Sequence, residues 1–149
     1  MIKIRAHHLP CIPRFYSGGY NKRFAENMKQ ICLEFRNNPN TKIRILVGKV
    51  DDICMKCPYR HREGCIQSTE ISKWVLEQDR KVANYLGIRP NSIHKARDIF
   101  NLSMERINQE TTESVCSDCI FLKNCIKVGI NNSFRKDLNR KAPLCGRSD

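Results

Sequence analysis

Asp51-Asp52-Ile53-Cys54-Met55-Lys56-Cys57-Pro58, with Cys65 eight residues beyond Cys57, is the stretch on which this sequence turns. A Cys-x-x-Cys pair bends tightly enough to bring two sulfurs to one metal centre, with backbone N–H groups aimed at them. The same grammar returns at Cys116-Ser117-Asp118-Cys119, with Cys125 six residues further on. Cys11 and Cys145 stand near the two ends of the chain. Three clustered thiolates and one remote thiolate can hold a tetrahedral ion or a cubane iron–sulfur cluster, and here the set is available twice. Structural zinc sites usually show two Cys-x-x-Cys pairs, or one pair with two histidines. Neither triplet has a second pair beside it, so two [4Fe–4S] clusters are expected ahead of two Zn²⁺ ions. The Cys57-Pro58 step points the same way, because Cys-Pro also occurs in bacterial ferredoxin motifs.

The ligands expected are therefore Cys11, Cys54, Cys57, Cys65, Cys116, Cys119, Cys125 and Cys145. The simplest division gives Cys11 to the first triplet and Cys145 to the second. An exchange of the two remote ligands is a second arrangement, since two-cluster ferredoxins swap them. A third leaves one cluster with three cysteines, its fourth iron taking His7, His8, a carboxylate or an external molecule. The fourth ligand decides the class of function. A cluster bound wholly by thiolates carries electrons or plugs a fold, whereas an open iron does chemistry. His7 and His8 adjoin Cys11 and are expected beside a cluster, hydrogen-bonded to a sulfur or a backbone group, with direct ligation as the alternative. His61 and His94 read as surface or supporting residues. The chain shows no nucleotide-binding glycine loop, serine triad or paired carboxylates. An electron carrier or an accessory to a redox enzyme is expected before an enzyme. The rivals are a zinc-stabilised basic adaptor for nucleic acid or protein, and an enzyme with one open iron.

Composition bounds these readings. The chain has 149 residues, a usual size for one domain, taken here as 1–149. Nine cysteines is an odd number, so a closed disulfide scaffold is disfavoured. No run approaches the roughly 18 apolar residues of a membrane span. The N-terminus lacks the apolar segment of a signal peptide, so a cytoplasmic protein is expected. The formal charge is +12. Two four-thiolate sites, each about −2, would bring it to about +8. Enough remains to attract an acidic redox partner, the partner expected, or nucleic acid, which is less favoured. Phe15, Tyr16 and Tyr20 beside Arg14, Lys22 and Arg23 form the best nucleic-acid patch.

A mainly helical α+β fold is predicted, with helices packed around two cluster sites. Ile2–Arg5 and residues 42–47 read as strands of a small sheet. Phe24, Met28, Ile31 and Phe35 form one helical stripe, ended by Asn37-Asn38-Pro39-Asn40, with Cys32 a buried free thiol on its edge. A helix capped by Ser68 or Thr69 runs to about Leu86 and stops at Gly87, with Ile71, Trp74, Val75, Val82, Tyr85 and Leu86 on its buried side. Another runs from Ile93 to about Asn108. Residues 58–64 read as a polar loop, and a helical turn follows Cys119. From Asn131 the chain is basic and reads as a solvated tail over 131–149, tethered if Cys145 is a ligand.

Arg5-Ala6-His7-His8-Leu9-Pro10-Cys11 resembles the opening of an uncharacterised family of bacteria and archaea described as iron–sulfur binding. The resemblance continues through Gly19-Tyr20, Phe24-Ala25-Glu26-Asn27-Met28 and Asp51–Pro58 to Cys65. It resumes at Asp79-Arg80, Leu86-Gly87 and the second triplet. It implies iron–sulfur binding by Cys11, Cys54, Cys57, Cys65, Cys116, Cys119 and Cys125, and no defined reaction. It does not reach Cys145.

Overall fold

The computed structural model describes residues 1–18, 20–58, 60–61, 64–65, 69–108, 110–116 and 122–140, without the side chains of 60, 61, 64, 65, 69–72, 122 and 124. Strand β1, Ile2–Arg5, puts Ile4 into the core and Arg5 on the opposite face. Two 3-10 turns follow, Ala6–His8 and Ile12–Arg14. Helix α1, Lys22–Asn37, begins where the Asn21 Oδ1 accepts the Phe24 N–H at 2.8 Å. Met28, Ile31 and Phe35 of the predicted stripe are buried with Cys32, while Phe24 at its start is half-buried against the core. The helix is the crossover that lets β2, Lys42–Leu46, lie parallel to β1, with Ile2 opposite Ile43 and Ile4 opposite Ile45.

Beyond the first cysteine turn, β3 (Arg60–His61) and β4 (Gly64–Cys65) pair antiparallel in the segment predicted as a loop. Helix α2, Thr69–Leu86, buries Val75, Gln78, Asp79, Val82, Ala83 and Leu86, whereas Tyr85, expected on that side, is exposed and donates its hydroxyl to the Arg106 carbonyl. It ends at Gly87, whose φ of +69° favours glycine. Ser68 and the Ile71 side chain lie outside the described residues.

The helix predicted from Ile93 starts later. Ile93–Lys95 is β5, antiparallel to β2, and gives the sheet order β1-β2-β5. The free edge of β2 takes a backbone partner there, which leaves Ile93 45% exposed instead of in the core. Helix α3 then runs over Ala96–Arg106. Short helices α4 (Thr112–Val115), α5 (Leu122–Val128) and α6 (Asn132–Leu138) follow.

Helix α6 lies where a solvated tail was expected. Asn131 Oδ1 accepts the Ser133 and Phe134 N–H groups, and Phe134 and Leu138 are buried. Phe134 meets Phe100 edge-on at 5.6 Å, and Phe100 meets Phe35 at 5.0 Å. Arg36 Nε donates to Asp137 at 2.7 Å and Arg97 Nε to the Leu138 carbonyl at 2.8 Å, holding α6 to α1 and α3. The basic residues of this stretch are real surface, but an apolar pair four residues apart is enough to dock it.

Candidate metal centres

Two buried carboxylates organise the first centre. Helix α2 packs against the 3-10 turn Ala6–His8, and its Asp79 reaches Arg5. Asp79 Oδ2 accepts the Arg5 Nε at 3.0 Å and pairs with Nη2 at 2.9 Å. It also takes the Gly48 N–H at 2.8 Å. Asp79 Oδ1 takes the His7 backbone N–H at 3.0 Å and its ring Nδ1 at 2.6 Å. Asp51 serves the next two residues. Its Oδ2 accepts the Arg5 N–H at 2.7 Å and His8 Nδ1 at 2.7 Å, and its Oδ1 accepts the Cys54 N–H at 2.9 Å. That last bond starts the tight turn closed by Cys57 N–H on the Cys54 carbonyl at 3.0 Å. Asp52 fixes the turn to β1, accepting the Lys3 N–H on its carboxylate at 2.9 Å.

His7 and His8 are thus held side by side, ring centroids 4.4 Å apart, each with Nδ1 on a different fully buried carboxylate. Arg5 Nη1 lies 3.8 Å from Cys54 Sγ. Among the described residues, one group of donors gathers closely enough for a single ion: His8, Asp51 and Cys54, within 4.8 Å of one another. The sequence led us to expect two all-cysteine sites.

Electrostatics follow from this packing. Burial works against ionised Asp51, but the His8 charge and the bonds from His8, Arg5 and Cys54 overcome it and hold the carboxyl at about 2. Asp79 is likewise held well below the usual range: burial opposes ionisation, and the His7 bond with the charges of His7 and Arg5 outweighs it. Burial, reinforced by His8, lowers His7 to about 4 despite Asp79. Burial and then the Asp51 charge push the Cys54 thiol up to about 12. Cys54 therefore becomes a thiolate at neutral pH when a metal displaces its proton.

Arg14 is buried in the electrostatic reach of three further cysteines, Cys11, Cys116 and Cys125. This arginine was expected on an exposed aromatic patch, yet it is 6% exposed. Its guanidinium donates to the carbonyls of Pro10 (2.7 Å) and Ile107 and to Thr112 Oγ1 (3.1 Å). No carboxylate pairs with it among the described residues. Burial disfavours its charge and lowers its pKa, while Cys11, Cys116 and Cys125 act to restore it. Cys11 thus shares the surroundings of Arg14 with Cys116 and Cys125 of the second triplet. The three sulfurs are spread more widely than the His8–Asp51–Cys54 donors, which alone gather within 4.8 Å among the described residues. Tyr16 and Tyr20 remain exposed, so Arg14 has left the patch they were to share.

Of the other expected ligands, Cys57 is half-buried in the first turn. The Cys65 side chain, Cys119 and Cys145 lie outside the described residues. Cys32 is a buried free thiol, as read. His94 shares a hydrogen bond with Ser92 at 2.8 Å in β5. The sequence reading missed Arg5, Asp79 and Arg14 as organisers. Asp79 had a signal: a carboxylate among Val75, Val82 and Leu86 on the buried side of α2 demands a partner.

A family model described as "Protein of unknown function (DUF1284)" matches residues 19–125, well over half of the chain. The matched stretch includes Asp51, Asp79 and both cysteine triplets, and begins after His7, His8 and Cys11. No curated protein and no solved structure matches the chain. The chain belongs to that family.

Proposed function

We propose, with membership of this uncharacterised family as the premise, that the protein binds two [4Fe–4S] clusters and serves electron transfer or supports a redox enzyme. Cys54, Cys57 and Cys65 hold one cluster, and Cys11, Cys116, Cys119 and Cys125 the other. The observation that carries this reading is Arg14, buried among Cys11, Cys116 and Cys125 with no carboxylate pairing it among the described residues. A guanidinium keeps its charge in proteins, and burying an uncompensated charge costs several kcal/mol, about 3–5 by analogy with broken buried pairs. Neutral thiols offset little of that. Metal-bound thiolates offset it fully. At the first centre Arg5, itself paired with Asp79, lies with Nη1 3.8 Å from Cys54 Sγ. Zn–S bonds of about 2.3 Å would bring tetrahedral ligands to about 3.8 Å from one another. The wider spread of the sulfurs around Arg14 favours a body larger than one ion.

Bound clusters would supply one-electron redox capacity, and the chain's part is to hold them, shield them and set their charge. A groove lined by Lys22, Arg23, Glu26, Asn27, Gln30 and Lys56 adjoins the Cys54–Cys57 turn, where Asn27 Nδ2 donates to the Asp52 carbonyl at 3.0 Å. Its basic side chains suit an acidic redox partner.

The zinc reading draws on the mixed nitrogen, oxygen and sulfur donors of His8, Asp51 and Cys54. Against it, both Asp51 oxygens already accept hydrogen bonds. Redox titration of anaerobically purified protein, followed by electron paramagnetic resonance, separates the readings. Reversible one-electron reduction with cubane signals is expected. A colourless, spectroscopically silent zinc protein contradicts it.

A further inference from the structure

With Cys11 assigned to the second cluster, the first triplet offers three sulfurs, and a ring nitrogen of His8 lies within 4.8 Å of one of them, Cys54 Sγ. We propose that His8 completes the centre of Cys54, Cys57 and Cys65 through its Nε2 atom, and that Asp51 is the residue that positions it. This rests on the iron–sulfur reading above.

The argument is geometric. A ring nitrogen of His8 lies within 4.8 Å of Cys54 Sγ. His8 Nδ1 is 2.7 Å from Asp51 Oδ2, an oxygen that also accepts the Arg5 N–H. An ionised carboxylate only accepts, so the proton of this bond sits on His8 Nδ1. With Nδ1 taken by Asp51, Nε2 is the ring nitrogen left to face a metal. Metal-bound histidines characteristically give their other N–H to a carboxylate in this manner.

Asp51 does more than orient the ring. Its second oxygen caps the Cys54 N–H at 2.9 Å, so one buried carboxylate fixes the histidine and the cysteine relative to each other. Asp51 is itself unsuited to be the ligand, because its two oxygens receive three donors. His7 has the same type of tether, but to Asp79, and it is outside the convergent group. It is therefore the natural control. His8 and His7 side chains are each 17% exposed, so the edge that would meet the metal is shielded yet reachable. Histidine in place of cysteine raises the potential of an iron–sulfur centre. With His8 as ligand, the first centre has a higher potential than the same centre with a fourth cysteine.

The test is pulsed electron paramagnetic resonance on reduced protein containing ¹⁵N-histidine. The expected result is strong hyperfine coupling to one imidazole nitrogen, retained in His7→Ala and lost in His8→Ala. If His8→Ala cannot hold the cluster, His8→Cys answers the same question: full iron, no nitrogen coupling and a more negative potential. Two intact clusters in the unaltered protein without such coupling overturn the proposal alone. So does coupling that persists in His8→Ala or His8→Cys. Absence of any cluster overturns the iron–sulfur reading and this proposal with it.

Discussion

His8 donates from Nδ1 to Oδ2 of Asp51 at 2.7 Å, and that bond joins the 3-10 turn after β1 to the first cysteine turn. Asp51→Asn replaces a pure acceptor by an amide whose N–H must face a donor. One buried donor is then unsatisfied, at a cost of about 1–3 kcal/mol. A lower unfolding temperature is expected, with altered signals from the first centre and unaltered signals from the second. Equal disturbance of both would mean that Asp51 supports the fold in general.

Cys11 shares the environment of Arg14 with Cys116 and Cys125. Cys11→Ala is therefore expected to remove the second cluster and spare the first, lowering iron from about eight to about four atoms per chain. Cys145→Ala is expected to leave both clusters in place. Iron analysis with electron paramagnetic resonance reads both. Loss of the second cluster in Cys145→Ala alone would return the remote ligand to the C-terminal end.

Arg14→Met removes the fixed charge beneath those sulfurs and leaves the Pro10 and Ile107 carbonyls without their donor. Thermal unfolding is expected to show a loss of about 3 kcal/mol, the scale for a broken buried charge network. A redox titration is expected to show the second centre moved to more negative potential, because a nearby cation favours the reduced, more anionic cluster. A potential that does not move would place the sulfurs outside the field of Arg14.

Cys32 faces the core from α1, and burial pushes its thiol up to about 12. In the unfolded chain it titrates at about 8.5. The folded state thus binds the extra proton as pH rises above that value, so stability falls with rising pH there. That component is expected to vanish in Cys32→Ala. Native Cys32 is also expected to resist alkylation at about pH 9 and to react once unfolded, which mass spectrometry would show.

Gly48 holds a φ of +75° while its N–H donates to Asp79. An added Cβ would lie 2.6 Å from Leu76 Cδ1. Gly48→Ala is expected to lose about 1–3 kcal/mol in chemical denaturation through left-handed strain and overpacking.

Much of the scaffold could be read from periodicity. The stripe of α1, the strands β1 and β2 and the glycine stop after α2 are local patterns that stand in the structure, which adds that the two strands run parallel. Ile93 misled because its apolar character suited a helix, while the edge of β2 required a strand. Phe134 and Leu138 were hidden by the lysines and arginines around them, although Asn131 is an ordinary helix cap. In the candidate centre the cysteine turn was legible, since its ligands are close in sequence. The partnerships of Arg5, Asp51 and Asp79 were not, because these residues meet across separations that no spacing rule covers. The withdrawal of Arg14 from its aromatic neighbours is of the same kind. Its partners are carbonyls and sulfurs drawn from both ends of the chain.

Iron and acid-labile sulfide, counted per chain in anaerobically purified and reconstituted protein, test the central claim most directly. About eight of each is the predicted result for two cubanes. Zinc without sulfide, or iron without sulfide, would contradict it.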